Sequence, residues 1–234
     1  MYTGKKILLT IPARGGSKRL PGKNIKMLGN KPLIAYVIAA AKASKYVDRV
    51  VVSTDDEEIA RIAKEAGAEV PYLRPAELAT DTAPVVDVLQ HMVRYMQESE
   101  GYAPDVHVLV QPTTPFVLSA DIDRAIETFF TTGANSCVSV CEVTERPEWM
   151  YQLQGSMAVP FVDTPALRGQ DLPPLFRLNG AVYVTNVQVL MEKNMVFDNT
   201  NCAATIMPPE RSVDIDTALD FSLAEQLLSA QGEK

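Results

Sequence analysis

The chain has 234 residues, 47% hydrophobic and 22% charged, with a formal net charge of −7. That acidic balance argues against a general nucleic-acid binder, and no apolar run approaches the roughly 20 residues that a membrane helix needs. The length suits a single domain, 1–234, with a substantial core. Three cysteines and two histidines stand at no zinc spacing. Cys137 and Cys141 share a strand-like run and Cys202 is remote, so they read as reduced, buried thiols with no neighbouring base to activate them. The N-terminus lacks a secretory apolar stretch, and the expected location is the cytoplasm.

Residues 1–47 hold ten Lys or Arg and no acid, leaving 12 positive and 29 negative charges for the rest. A basic segment on an acidic body fits a focused anion site. The apolar run Lys6–Ile11 reads as a first buried strand, and Pro32 followed by helical spacing starts a first helix. Between them runs Pro12-Ala13-Arg14-Gly15-Gly16-Ser17-Lys18-Arg19-Leu20-Pro21-Gly22-Lys23-Asn24, with four cations, three glycines and no acid. Glycines let backbone N–H groups approach a ligand closely, and Arg and Lys add charge-assisted bonds to phosphate oxygens, so this loop reads as a polyphosphate cradle. It is no P-loop: five residues separate Gly16 from Gly22, and Asn24 stands where a hydroxyl should follow Lys23. The dinucleotide fingerprint is absent too.

Arg49–Ser53 reads as a second buried parallel strand. Thr54-Asp55-Asp56 offers an N-cap to a helix over 57–66 that Gly67 stops, and Ala68–Tyr72 suggests a short edge strand. In Leu78–Pro84, Asp81 and Thr82 suit the cap of a helix from Val85 to about Gln97. Val106–Val110 is the next core strand, with Gln111 the first polar residue beyond its carboxyl end, where ligands bind in open α/β sheets. A helix capped near Ser119 reaches Gly133, and Ser136–Val143 is strand-like. From Glu145 to Arg177 the pattern breaks into prolines, glycines and isolated aromatics, with Trp149 equally suited to an interface or a core. In Arg177-Leu178-Asn179-Gly180, glycine permits close approach and Asn179 offers a donor and an acceptor; an ordinary Asn-Gly turn is the competing reading. Asp214 and Asp216, two apart before an amphipathic last helix, can face one cation if extended, although Asp216 could equally be an N-cap. A second Asp-x-Asp, Asp121 and Asp123, sits in a helical first turn, where the dipole is a sufficient reason for it.

Ala13–Asn24 resembles the signature loop of cytidylyltransferases that activate acylneuraminates and related nine-carbon sugar acids with CTP, and Asn24 favours that branch over the Kdo-activating relatives. Further stretches resemble the family's motifs: Leu78-Ala79-Thr80-Asp81-Thr82, Gln111-Pro112-Thr113-Thr114-Pro115 and Arg177-Leu178-Asn179-Gly180-Ala181-Val182-Tyr183. Phe116-Val117 departs from the usual Leu-Arg, which puts that Arg's role in doubt. The resemblance, over about residues 6–225, implies a three-layer α/β fold of the Rossmann-like nucleotide-diphospho-sugar transferase type, with a mainly parallel sheet. It implies transfer of CMP from CTP to a sugar acid, with Arg14, Lys18 and Lys23 neutralising the triphosphate. Ala13, Gly15, Gly16, Ser17 and Asn24 would orient the nucleotide, Ala79 and Thr82 would read the base, and Gln111, Arg177, Asn179 and Tyr183 would face the sugar. Asp214 and Asp216 would hold Mg²⁺, and 145–177 would be a dimerisation arm. Two rivals remain: a glycosyltransferase, which would release no pyrophosphate, and an inactive CTP-binding regulator, against which Arg14, Lys23, Asp214 and Asp216 together speak.

Overall fold

The computed structural model describes residues 2–162, 168, 172–230 and 232. In chain order its elements begin with strand β1 (Ile7–Pro12), a 3₁₀ turn (Lys23–Ile25), the small hairpin β2 (Met27–Leu28) and β3 (Lys31–Pro32), and helix α1 (Leu33–Lys42). Then come β4 (Arg49–Ser53), α2 (Glu57–Glu65), a 3₁₀ turn (Ala76–Leu78), α3 (Val85–Glu98), β5 (Val106–Val110), α4 (Ser119–Thr132) and β6 (Ser136–Glu142). The remainder is the hairpin β7 (Tyr151–Gln154) and β8 (Met157–Pro160), β9 (Phe176–Asn186), α5 (Val187–Glu192), β10 (Cys202–Ile206) and α6 (Ala218–Ala230).

Six strands form the central sheet in the order β10-β6-β9-β5-β1-β4. β4, β1 and β5 run parallel, as do β6 and β10, while β9 is antiparallel to both of its neighbours. The core strands alternate as a two-sided buried sheet requires. Ile7, Leu9 and Ile11 face one cluster with α1, α2 and α4, and Leu8 faces a second with α3 and α5. The three-layer fold expected from the sequence is therefore present. A third cluster joins Leu33, Phe116 and Ile215 to Phe221 and Leu228 of α6.

Several local readings are corrected. Pro32 is the N-cap of α1, with extended ψ, and pairs with Met27 in the small hairpin. Asp56, rather than Thr54 or Asp55, caps α2, accepting from the N–H groups of Glu58 and Ile59. Ala68–Tyr72 forms no strand; isolated parallel bridges join Glu69 to Val51 and Leu73 to Thr54. Within the 145–177 excursion, of which 163–167 and 169–171 lie outside the described residues, 151–160 is a regular hairpin: β7 and β8 pair across a turn with Gly155 at φ 63°. Trp149 is half exposed, which removes the core-filler reading.

Candidate active site

A cleft of about 510 Å³ opens over the carboxyl ends of β1, β4 and β5. The chain leaves β1 at Pro12 and carries the cationic loop across its floor. Gly15 passes so close to the start of α2 that a Cβ there would lie 2.7 Å from Asp56 Oδ2, and its N–H donates to Asp55. Gly22, at φ 65°, starts the 3₁₀ turn that presents Lys23 and Asn24. Asn24 ties the two ends of the loop together, donating to the Arg14 carbonyl at 2.9 Å. Its Oδ1 is buried and accepts no hydrogen bond among the described residues.

The four loop cations are held in two pairs. Asp81 bridges Arg14, at 2.7 Å, and Lys18. Asp216 bridges Lys23 at 2.9 Å and Arg19 at 3.1 Å. Lys18 and Arg14 hold the Asp81 carboxyl below the usual carboxylate range. Lys23 is the least exposed of the four, at 12% of its side-chain surface. A cation withdrawn from water beside a single carboxylate retains capacity for further anions.

Asp81 and Thr82 do not cap α3, whose N-cap is Pro84 with no side-chain bond. Asp216 is no cap either. Asp220 accepts from the N–H groups of Asp216 and Thr217 and from the Thr217 hydroxyl, closing the first turn of α6 without it. Ile215 is fully buried, and its N–H donates to the Thr113 carbonyl at 2.8 Å. That anchor turns both neighbouring aspartates away from the core, as alternation in an extended segment requires. Asp214 sits beside Gly180, whose Cβ would lie 3.3 Å from its Oδ2. Although open by surface area, Asp214 is densely enclosed on its inner side. This desolvation pushes its carboxyl pKa up, Asp216 adds to the rise, and the Thr113 hydroxyl and Lys23 oppose it. A carboxyl raised by desolvation and by a second carboxylate beside it makes a place where a divalent cation is favoured. Asp121 and Asp123 are structural: Asp121 pairs with Arg211 and takes the Leu118 N–H, while Asp123 accepts from Ser44 and Lys45.

Of the residues anticipated for a site, Arg14, Ser17, Lys18, Lys23, Asn24, Gln111 and Asp216 line the cleft. Ala13, Gly15 and Gly16 belong to the loop but are not among the residues that line the cleft. Thr82 is exposed and off the cleft lining, and the Ala79 N–H is committed to the Ala76 carbonyl. Asn179 is 1% exposed and its amide is spent inside the fold: Oδ1 accepts from Ser139 and Ala181, and Nδ2 donates to Ser212. Tyr183 packs into the α3 and α5 cluster, its phenol pKa raised by burial and by Asp214. Arg177 is exposed and off the lining. One cleft residue went unnoticed in the sequence. Arg74 is 7% exposed, donates to the Ser53 hydroxyl and carbonyl, and takes part in none of the described ion pairs. Burial lowers its pKa, yet a guanidinium remains charged.

A cationic, glycine-bearing loop at the carboxyl end of β1, paired with carboxylates, makes this cleft the candidate nucleotide site of a Rossmann-like sheet. Residues 8–227 match the cytidylyltransferase family, and the chain belongs to it. It is 37% identical to a CMP-N,N'-diacetyllegionaminic acid synthase from Legionella pneumophila, over 97% of this chain and 98% of that one. It is 31% identical to a pseudaminic acid cytidylyltransferase from Campylobacter jejuni, over 97% and 98%. Identity to an N-acylneuraminate cytidylyltransferase from Escherichia coli is 35% over 94% of this chain, which spans 51% of that longer relative. The fold is shared with a solved CMP:2-keto-3-deoxy-manno-octonic acid synthetase complexed with CTP, with TM-score 0.71 at 18% identity over 97% of this chain and 99% of that one. Among the described residues no helix is long and apolar enough to cross a membrane.

Proposed function

We propose that this cytidylyltransferase moves CMP from CTP to the anomeric hydroxyl of a nine-carbon diacetamido sugar acid of the legionaminate type, in the cytoplasm. The observation that carries the reading is the loop itself: four cations and three glycines set across a cleft from Asp216. The full-length match to the legionaminate enzyme supports the acceptor class. In the reaction the hydroxyl oxygen bonds to the α-phosphorus, the bond from that phosphorus to the bridging oxygen breaks, pyrophosphate leaves, and the hydroxyl proton passes to solvent.

Arg14, Lys18 and Lys23 exchange their carboxylate partners for triphosphate oxygens and hold the charge that builds on the leaving pyrophosphate. Positioning and charge stabilisation of this kind carry most of a phosphoryl-type barrier. Ser17 and Asn24 orient the phosphates and ribose, and Arg74 offers the remaining N–H capacity of its guanidinium to the nucleotide beside Leu78. Gln111 stands at the acceptor side of the cleft.

Mg²⁺ fits the site. Asp214 and Asp216 supply hard oxygen donors of the kind this ion prefers, and Asp214 is a carboxyl whose pKa is raised by desolvation and by its neighbour Asp216. When bound, the ion supplies Lewis-acid polarisation of the phosphate. Asp216, which pairs with Lys23 and Arg19, would hold the ion together with Asp214.

The chain acts as a homodimer through the exposed apolar hairpin, where Tyr151, Leu153, Met157 and Phe161 all stand open. Exposed apolar side chains grouped on one hairpin are what an interface would cover. Pyrophosphate release from CTP with legionaminate, pseudaminate and acetylneuraminate derivatives tests the assignment. The highest kcat/KM is expected with the di-N-acetylated legionaminate, and turnover of none of the three removes the reading.

A further inference from the structure

We propose that Asp81 is a specificity-determining residue: its carboxylate occupies the phosphate seat between Arg14 and Lys18 in the ligand-free loop, so that small inorganic anions must displace it. The inference rests on the reading of the loop as the triphosphate site. One Asp81 oxygen takes Arg14 Nη1 at 2.7 Å and the other takes Lys18 Nζ. Two oxygens on one centre, each meeting a different cation of the same loop, reproduce the presentation of two oxygens of one phosphate group.

Asp81 reaches the loop from the turn before α3 and does not cap that helix, whose N-cap is Pro84; its described contacts are with Arg14 and Lys18. Asp216 is a different case. Its partners are Lys23 and Arg19 and it stands two residues from Asp214, whereas Asp81 lies in the turn at 79–84 and pairs with Arg14 and Lys18. The Asp81 pairs are also exposed enough to exchange readily, with side-chain accessibilities of 35% for Arg14, 77% for Lys18 and 41% for Asp81. Water and salt screen such contacts, so each is weak alone.

The consequence is selective. A ligand anchored elsewhere in the cleft by its base and ribose displaces the carboxylate within an established complex. A free anion has no such anchor and meets the full competition. Pyrophosphate, the product left after transfer, is therefore held weakly and leaves.

Calorimetric titration of sodium pyrophosphate without Mg²⁺, on the full chain and its variants, tests this. Asp81→Asn is expected to bind pyrophosphate about three- to tenfold more tightly than the parent, a coupling of the size exposed ion pairs provide. It should also inhibit turnover at correspondingly lower pyrophosphate concentration, while Asp81→Glu restores the parent affinity. Arg14→Ala and Lys18→Ala, titrated in parallel, separate the two possible failures. If neither weakens pyrophosphate binding, the loop is not the phosphate site and the proposal falls with it. If both weaken it but Asp81→Asn binds no more tightly than the parent, or more weakly, the seat is real and Asp81 is not its placeholder.

Discussion

Lys23 is the loop cation most withdrawn from water, and a carboxylate on a separate chain segment meets it at 2.9 Å. Lys23→Ala removes a charge from beside the triphosphate, and kcat/KM for CTP is expected to fall more than about tenfold, or ~1.4 kcal/mol of transition-state stabilisation. Steady-state kinetics at fixed sugar acid check it, with near-parental values counting against the assignment. Asp216→Asn makes the complementary change. Asp220 already closes the turn of α6, so unfolding stability should shift by less than about 1 kcal/mol. Magnesium-dependent turnover should fall by orders of magnitude, while CTP binding measured without the metal persists. That these cations gather on one cleft was legible in the sequence, because Arg, Lys and Gly without acids have few structural reasons to cluster. Arg74 was not legible. It is a lone cation between Leu73 and Pro75, and only the fold, by carrying it back over the end of β4, turns it into part of the cleft.

At the scale of elements, Ile7–Pro12, Arg49–Ser53 and Val106–Val110 match their predicted strands to within a residue, since continuous apolar runs bounded by polar turns leave little freedom. The direction of β9 was hidden, because alternation is the same whichever way a strand runs. So was the hairpin of β7 and β8, whose residues are exposed throughout and have no buried face to impose a pattern. The Asn179 segment shows why a family motif can mislead about roles. Where β6 meets β9 the register shifts between Val138 and Val140, and Gly180 adopts φ 76°. Asn179 and Ser139 fill that irregularity, Ser139 accepting from the Val182 N–H at 2.8 Å. Asn179→Ala would leave several buried groups without partners, and a loss of about 2–3 kcal/mol is expected in urea unfolding. A variant of full stability but raised KM for the sugar acid would instead place Asn179 against the substrate.

Over the whole molecule, the proposed association and the acid sensitivity expected of the fold have separate origins. Leu153 and Met157 are 76% and 70% exposed on the hairpin, and Leu153→Asp is expected to convert a dimer to a monomer in sedimentation velocity. Acid sensitivity, by contrast, starts in the middle of the sheet. His107 on β5 is buried, and its Nε2 lies 2.9 Å from the Thr10 hydroxyl of β1. Burial alone depresses its pKa to about 3. In the unfolded chain the imidazole titrates near its ordinary value of about 6.5. Below that value the unfolded state binds a proton that the folded state refuses. The neutral ring's contribution is therefore complete above about pH 6.5 and is lost progressively as the pH falls toward 3. Between pH 7.5 and pH 5 the linkage amounts to about 2 kcal/mol for this one residue. His107→Gln keeps a hydrogen-bonding side chain opposite Thr10 and removes the titration. Urea unfolding at the two pH values should show the parent losing about 2 kcal/mol more than the variant. Equal losses in both proteins would mean that the acid sensitivity lies elsewhere.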